Sequence, residues 1–228
     1  MLSPLEAEAL TLSLRVAFWS VLCSLPPGIA IAWLLARREF YGKPVIDALI
    51  HLPLVVPPVV VGYVLLVLFS RNGPVGGWLD DAFGLRVAFT WQGAALAAAI
   101  MGFPLMVRAI RLSFEAIDPR LEQAARTLGA GPLDVLVSVT LPLIANGIIA
   151  GTVLAYARSL GEFGATIVFA SSIPGETRTL PLALYGLAQT PGGEAGAMRL
   201  AVIAALLALA AMLASSWLAR RFTANRVR

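Results

Sequence analysis

Two ionisable residues of this 228-residue chain invite a chemical reading because they sit inside a long apolar run: Arg158 and Glu162, in the stretch from Leu141 to Ala170. An ionised side chain at the centre of a bilayer costs roughly 2.5–3.5 kcal/mol on insertion scales, so such residues need a reason. Their i, i+4 spacing puts them on one helix face near the middle of that run, where a mutual ion pair forms easily. Two roles follow. The pair can neutralise itself and tie a bundle together, or Arg158 can offer a transient positive site to an anion while Glu162 keeps that binding weak, as a pathway requires. Ser159 stands between them, as pathway lining or as a hydroxyl that bonds across helices. Asp47 and His51 form another i, i+4 pair, and a partnered interfacial histidine fits it better than a metal ligand because nothing near it supplies further ligands. No metal site is expected. The lone Cys23 can form neither an intrachain disulfide nor a cysteine metal site. No nucleophile, base and orienting group share one neighbourhood, so no catalytic residue is expected. The phosphate-loop pattern Gly-x-x-x-x-Gly-Lys-Ser/Thr is absent, which moves any ATP chemistry to a separate chain.

The elements that must position these residues are membrane spans. The chain is 59% hydrophobic and 13% charged, with a mean hydropathy of +0.84, too little charge to cover a soluble domain. A spanning helix needs about 20 apolar residues, because the hydrocarbon core is about 30 Å thick and each residue rises about 1.5 Å. Five stretches qualify: residues 11–36, 46–69, 90–107, 141–170 and 200–218. The expected fold class is therefore an all-α integral membrane protein in one transmembrane domain covering residues 1–228, with no large soluble domain. The N-terminal residues, Met1 to Leu10, carry Glu6 and Glu8 and lack the basic region of a cleaved signal peptide, so they are expected to be retained.

Arginine placement sets an orientation. Arg37, Arg38 and Lys43, then Arg108, Arg111, Arg120 and Arg126, then Arg220, Arg221, Arg226 and Arg228 fall on one side: eleven basic residues. The other two connections, Ser70 to Phe89 and Ser171 to Arg199, hold only Arg71, Arg86, Arg178 and Arg199. The positive-inside rule then puts the N-terminus outside and the C-terminus in the cytoplasm. These arginines end apolar segments instead of forming a stripe interleaved with aromatics, so nucleic acid is not an expected partner; the bilayer is.

Pro53, Pro57 and Pro58 interrupt the second stretch, and no regular helix can run through them unchanged. Irregular backbone at membrane depth survives inside a bundle or along a water-filled cavity, so this span is expected to pack within protein, as a plain kink or as part of a pathway. The outer segments Arg71 to Gly77 and Thr190 to Glu194 read as loops rich in turn residues, and Leu180 to Ala188 as a short apolar helix. The connection 108–140 is patterned. Asp118-Pro119 is an N-cap followed by proline at the first helical position; Leu121, Ala124, Ala125 and Leu128 recur at helical spacing; Gly129, Gly131 and Pro132 stop the helix. A short amphipathic helix on the cytoplasmic face follows, to lie on headgroups or to meet another protein.

The run Gln123-Ala124-Ala125, three residues, Gly129, nine residues, Val139, one residue, Leu141-Pro142 is similar to the EAA loop of binding-protein-dependent ABC importer permeases. It carries Gln123 where the pattern has Glu and Val139 where it has Ile, with Glu122 one residue earlier. The stretch from His51 to Gly62, and Arg158 to Thr166 with Ile173 to Thr179, resemble the molybdate permeases; the element Gly161-Glu162-Phe163-Gly164 is shared with sulfate permeases. The resemblance implies a type I ABC importer permease fold and a homodimer in the bacterial inner membrane. It also implies two ATP-binding cassette subunits that hold ATP and Mg, so that this chain needs no cofactor of its own, and an external molybdate-binding protein. Glu122, Gln123, Ala124, Ala125, Gly129, Leu141 and Pro142 become the expected ATPase-coupling set, and Arg158, Ser159 and Glu162 the candidate pathway. Sulfate or tungstate are alternative cargoes. An ion-gradient-driven secondary transporter is the alternative of another class; it would use Glu162 as a proton carrier, but no internal inverted repeat is present to support it.

Overall fold

A computed structural model describes residues 3–224, without the side chains of 215, 216 and 218–224. Arg226 and Arg228 of the basic tail therefore lie outside the described residues, as do Met1, Leu2 and the side chains of Arg220 and Arg221. Among the described residues every regular element is a helix.

Helix α1, Pro4–Arg37, starts seven residues before the expected span because a capping box makes a strong N-terminus. The Glu6 amide donates to Ser3 Oγ at 3.3 Å, and the Ser3 amide donates to Glu6 Oε2 at 2.7 Å. Its buried face runs through Leu12, Ser13, Val16, Ala17, Ser20, Val21 and Ser24 at helical spacing. The second span is two helices. In α2, Lys43–Val55, the last regular bond is Val56 N to Leu52 O at 3.0 Å; Val56 then turns extended, as a residue before proline must, and α3, Pro58–Phe69, leaves at 112°. Residues 46–69 thus do not form a single straight span.

The outer segment after α3, expected as a loop, holds a helix, α4, Pro74–Phe83. Its glycines let it fold back on the end of α3: a Cβ on Gly76 would stand 2.2 Å from Ser70 O. Asp80 ties the segment together, 3.3 Å from both Arg71 Nε and Arg86 Nε.

Helix α5, Trp91–Glu115, is the most enclosed of the apolar helices among the described residues. It runs eight residues past the expected end of its span, so Arg108 and Arg111 belong to a helix and not to the 108–140 connection. Its small face (Ala94, Ala97, Ala98, Gly102) packs on α1 and on a later long helix. The short α6, Pro119–Thr127, projects from its end, and α7, Pro132–Val135, follows.

A π turn, Leu136–Thr140, joins α7 to α8, Leu141–Leu160, in one continuous rod from Pro132. The physical reason is Pro142, which has no N–H to donate and whose ring crowds the preceding turn. The wider turn, with Leu141 N–H reaching back to Leu136 O, absorbs it. At the other end the helix stops at Leu160, and a separate α9, Gly164–Phe169, follows. The expected span 141–170 is therefore broken, and Arg158 and Glu162 sit at its break and not in the middle of a continuous helix.

Helix α10, Leu180–Ala188, packs against α1 and α11, Glu194–Ala224, through Ala9, Leu180, Ala183 and Leu200. Arg199, counted above as a loop residue, lies in α11. The central core is built by α1, α5 and α8 from Val21, Leu35, Met106, Val107, Ile110, Phe114, Ile144 and Ala155. Glycines set the helix separations: a Cβ on Gly151 would stand 2.9 Å from Met106 O, and one on Gly102 3.1 Å from Ala155 O. Among the described residues four helical rods are long and apolar enough to cross a membrane, and the bent pair α2 and α3 makes a fifth.

Candidate functional site

The amphipathic helix α6 is framed by side chains at both ends. Asp118 Oδ1 accepts from Arg120 N at 2.9 Å, capping the start. At the finish Gly129 N donates to Arg126 O at 3.0 Å and Ala130 N to Ala125 O at 3.1 Å, the paired closure that needs a left-handed residue; Gly129 supplies it at φ 90°. No residue of α6 is buried. Gln123 and Ala124 are exposed, Ala125 is half-buried, and Leu121 and Leu128 present apolar surface, Leu128 at 88% exposure.

Glu122 behaves differently from its neighbour Gln123. Its Oε1 accepts from Arg37 Nη2 at the end of α1 and from Thr140 Oγ1 at the end of the π turn, both at 3.0 Å. Sequence reasoning treated Arg37 only as a topology charge and did not single out Thr140, which is buried. Leu141 is half-buried and Pro142 is exposed in the first turn of α8, where they shape the π turn.

The expected pathway residues separate into two environments. Arg158 Nη1 lies 2.6 Å from Glu162 Oε2, a close ion contact too misaligned to be a hydrogen bond. Glu162 Oε1 accepts from Ala165 N at 2.8 Å, so this buried carboxylate caps the first turn of α9. Ser159 turns away from both. Its Oγ is 2.9 Å from Ser20 Oγ of α1 and donates to Ala98 O of α5 at 3.4 Å, a knot among three helices.

The break at Glu162 meets the break of the second span. Helix α3 packs on α9. A Cβ on Gly62 would stand 2.5 Å from Ala165 O, and one on Gly164 2.8 Å from Pro58 Cβ. Two interrupted spans therefore cross at their interruptions, with Pro58 in the contact. Nothing in the linear pattern pairs Gly62 with Ala165; a glycine four residues beyond Pro58 was the available signal. A third polar cluster joins α2 to α5: Asp47 Oδ1 is 3.3 Å from His51 Nδ1 and 3.1 Å from Arg111 Nη1, and Arg111 Nε is 2.7 Å from Glu115 Oε1.

A family model described as binding-protein-dependent transport system inner membrane component matches residues 28–225. The chain belongs to that family. It is a multi-pass inner-membrane permease subunit of an importer, with the type I ABC importer permease fold. Among relatives of this importer permease, the molybdenum transport system permease protein ModB of Escherichia coli (strain K12) is 62% identical over 215 residues, 94% of each chain. The protein of the same name from Haemophilus influenzae is 56% identical over 217 residues, 95% of each chain. A crystal structure of a bacterial alginate ABC transporter, in complex with an alginate pentasaccharide-bound periplasmic protein, shares the fold at a TM-score of 0.75 and 20% identity, over 97% of this chain and 80% of that one. The relatives are permease subunits, and partners of the ABC importer kind come with the family.

Proposed function

We propose that this permease carries molybdate across the inner membrane, as a homodimer served by two ATP-binding cassette subunits and an external molybdate-binding protein. The observation that carries the cargo is the 62% identity with the Escherichia coli molybdenum permease, maintained over 94% of both chains. ATP and Mg are held by the partner subunits, and this chain hydrolyses nothing itself.

In this reading the N-terminus is outside and the C-terminus cytoplasmic, following the eleven-to-four bias of basic residues, so that α6 faces the ATPase. Gln123, Ala124, Ala125 and the apolar Leu121 and Leu128 form its docking face; Gly129 ends the helix, and Leu141 and Pro142 set the turn below it. Closure of the ATPase subunits on ATP draws two such helices together and opens the dimer outward; hydrolysis returns it to the inward-open state. The crossing of α3 and α9 lies beside the path, because broken backbone at membrane depth is tolerated where protein or water satisfies it. Of the three pathway candidates, Arg158, whose side chain is 28% exposed, is the transient contact for the anion. Glu162 holds the break closed, and Ser159 holds the bundle.

The test is uptake of labelled molybdate into proteoliposomes containing this chain, its ATPase and its binding protein. ATP-dependent uptake, suppressed by unlabelled molybdate more effectively than by sulfate, is expected. Uptake driven by a proton gradient without ATP would refute the reading, and preferential suppression by sulfate would reassign the cargo.

A further inference from the structure

The carboxylate of Glu122 connects three separate elements: α6 itself, the end of α1 and the π turn before α8. Helix α6 buries none of its residues, and its covalent attachments are the short segments 116–118 and 128–131. A helix held only by such segments would pass on a displacement weakly, because each segment can swing. Glu122 removes that slack. Through Arg37 Nη2 at 3.0 Å it grips the last residue of α1, a helix terminus where a cation is already favoured. Through Thr140 Oγ1 at 3.0 Å it grips the last residue of the π turn; that hydroxyl also lies 3.3 Å from Val135 O, the carbonyl five residues back. Arg37 and Glu122 have side chains only about one-fifth exposed, so water screens their contact less than it does a surface pair. Thr140 is 2% exposed, so its hydroxyl has little access to water as an alternative partner.

We propose that Arg37, Glu122 and Thr140 form a clasp that transmits displacement of α6 directly into α1 and into the π turn of α8. The proposal rests on the reading of α6 as the ATPase-coupling helix. Arg37 and Thr140 are then positioning residues that act through Glu122 and touch neither ATPase nor cargo. A π turn is suited to the receiving end, being a single-turn irregularity of the kind that recurs at functional sites within α-helices. The division of labour also accounts for Gln123: the carboxylate at the neighbouring position faces inward, and the residue facing out is neutral.

The assay is molybdate uptake per ATP hydrolysed in proteoliposomes of the complete transporter, for Arg37→Gln, Thr140→Val, Glu122→Gln and the exchanged pair R37E/E122R. Arg37→Gln and Thr140→Val are expected to leave ATPase-subunit retention and ATP hydrolysis unchanged while uptake per ATP falls about three- to tenfold, the range for losing one ordinary net hydrogen bond, the charge being partly screened by solvent. The exchanged pair is expected to recover at least half the uptake that Arg37→Gln loses, which a purely structural defect would not permit. Wild-type uptake per ATP in both single variants, parallel loss of ATPase subunits, or no recovery in the exchanged pair would overturn the clasp. Absence of ATP-driven uptake in the unmodified transporter would instead overturn the functional reading beneath it.

Discussion

Replacing Gly62 with alanine is a direct probe of the crossing between the two broken spans. The added methyl would stand 2.5 Å from Ala165 O, 2.9 Å from Ala165 Cα and 3.0 Å from Ala165 C, and all three are backbone atoms that no rotamer change can move. Ordinary contact begins at 3.4 Å, so α3 and α9 must separate by about 0.9 Å in a closely packed interior. The neighbouring contact of Gly164 with Pro58 is equally full, which prevents α9 from sliding instead. Overpacking of this kind costs about 1–3 kcal/mol. For a chain of this size each kcal/mol shifts the melting temperature by about 2–4 °C, and the helix-propensity gain of alanine is common to Gly62→Ala and a control glycine in open space, so Gly62→Ala is expected to melt about 2–12 °C below that control. The assay is thermal unfolding of the detergent-solubilised protein followed by far-ultraviolet circular dichroism. Gly186→Ala serves as the matched control: it lies inside α10 with nothing within 4 Å of the new methyl, and helix propensity alone should stabilise it by about 1 kcal/mol. A Gly62→Ala protein that melts with the Gly186→Ala control would refute the tight crossing.

Two further substitutions test the local chemistry. Glu162→Ala leaves Ala165 N–H without an acceptor and Arg158 without its counter-ion; with Arg158 partly exposed, a loss of about 1–3 kcal/mol is expected, and Glu162→Gln should lose less because its amide oxygen still caps α9, as denaturant titration would show. Gly129→Ala forces a side chain onto φ 90° and should destabilise the end of α6 by about 1–2 kcal/mol, seen as faster amide exchange over Pro119–Thr127, whereas Gly131→Ala, at φ −70° with open space around it, should exchange as the wild type does.

Much of α6 is legible from residue types alone, because capping is a local matter. Asp118-Pro119 can start a helix and Gly129 can end one whatever else the chain does, and both act within a few residues of the bonds they satisfy. The pairing of Arg158 with Glu162 follows from their separation along the chain, although the helix stops between them; a turn after Leu160 still keeps residues four apart within reach. The direction of Glu122 could not be read in this way. Spacing places it beside Gln123 on a short exposed helix, and only the positions of Arg37, 85 residues earlier, and Thr140, 18 residues later, turn its carboxylate inward. Ser159 is a similar case, drawn to Ser20 by the packing of α1 on α8.

Sequence by itself determined that this chain lives in a membrane, roughly where it crosses, and which prolines and glycines interrupt the crossings, because hydropathy and backbone sterics are properties of each residue and its immediate neighbours. Tertiary structure decided that the interruption at Pro57 and Pro58 meets the one at Gly161 to Phe163, that the helix from Trp91 runs on to Glu115, and that a π turn absorbs Pro142. Those outcomes depend on which helices lie side by side and how closely their glycines let them approach, distances set by partners far apart in the chain.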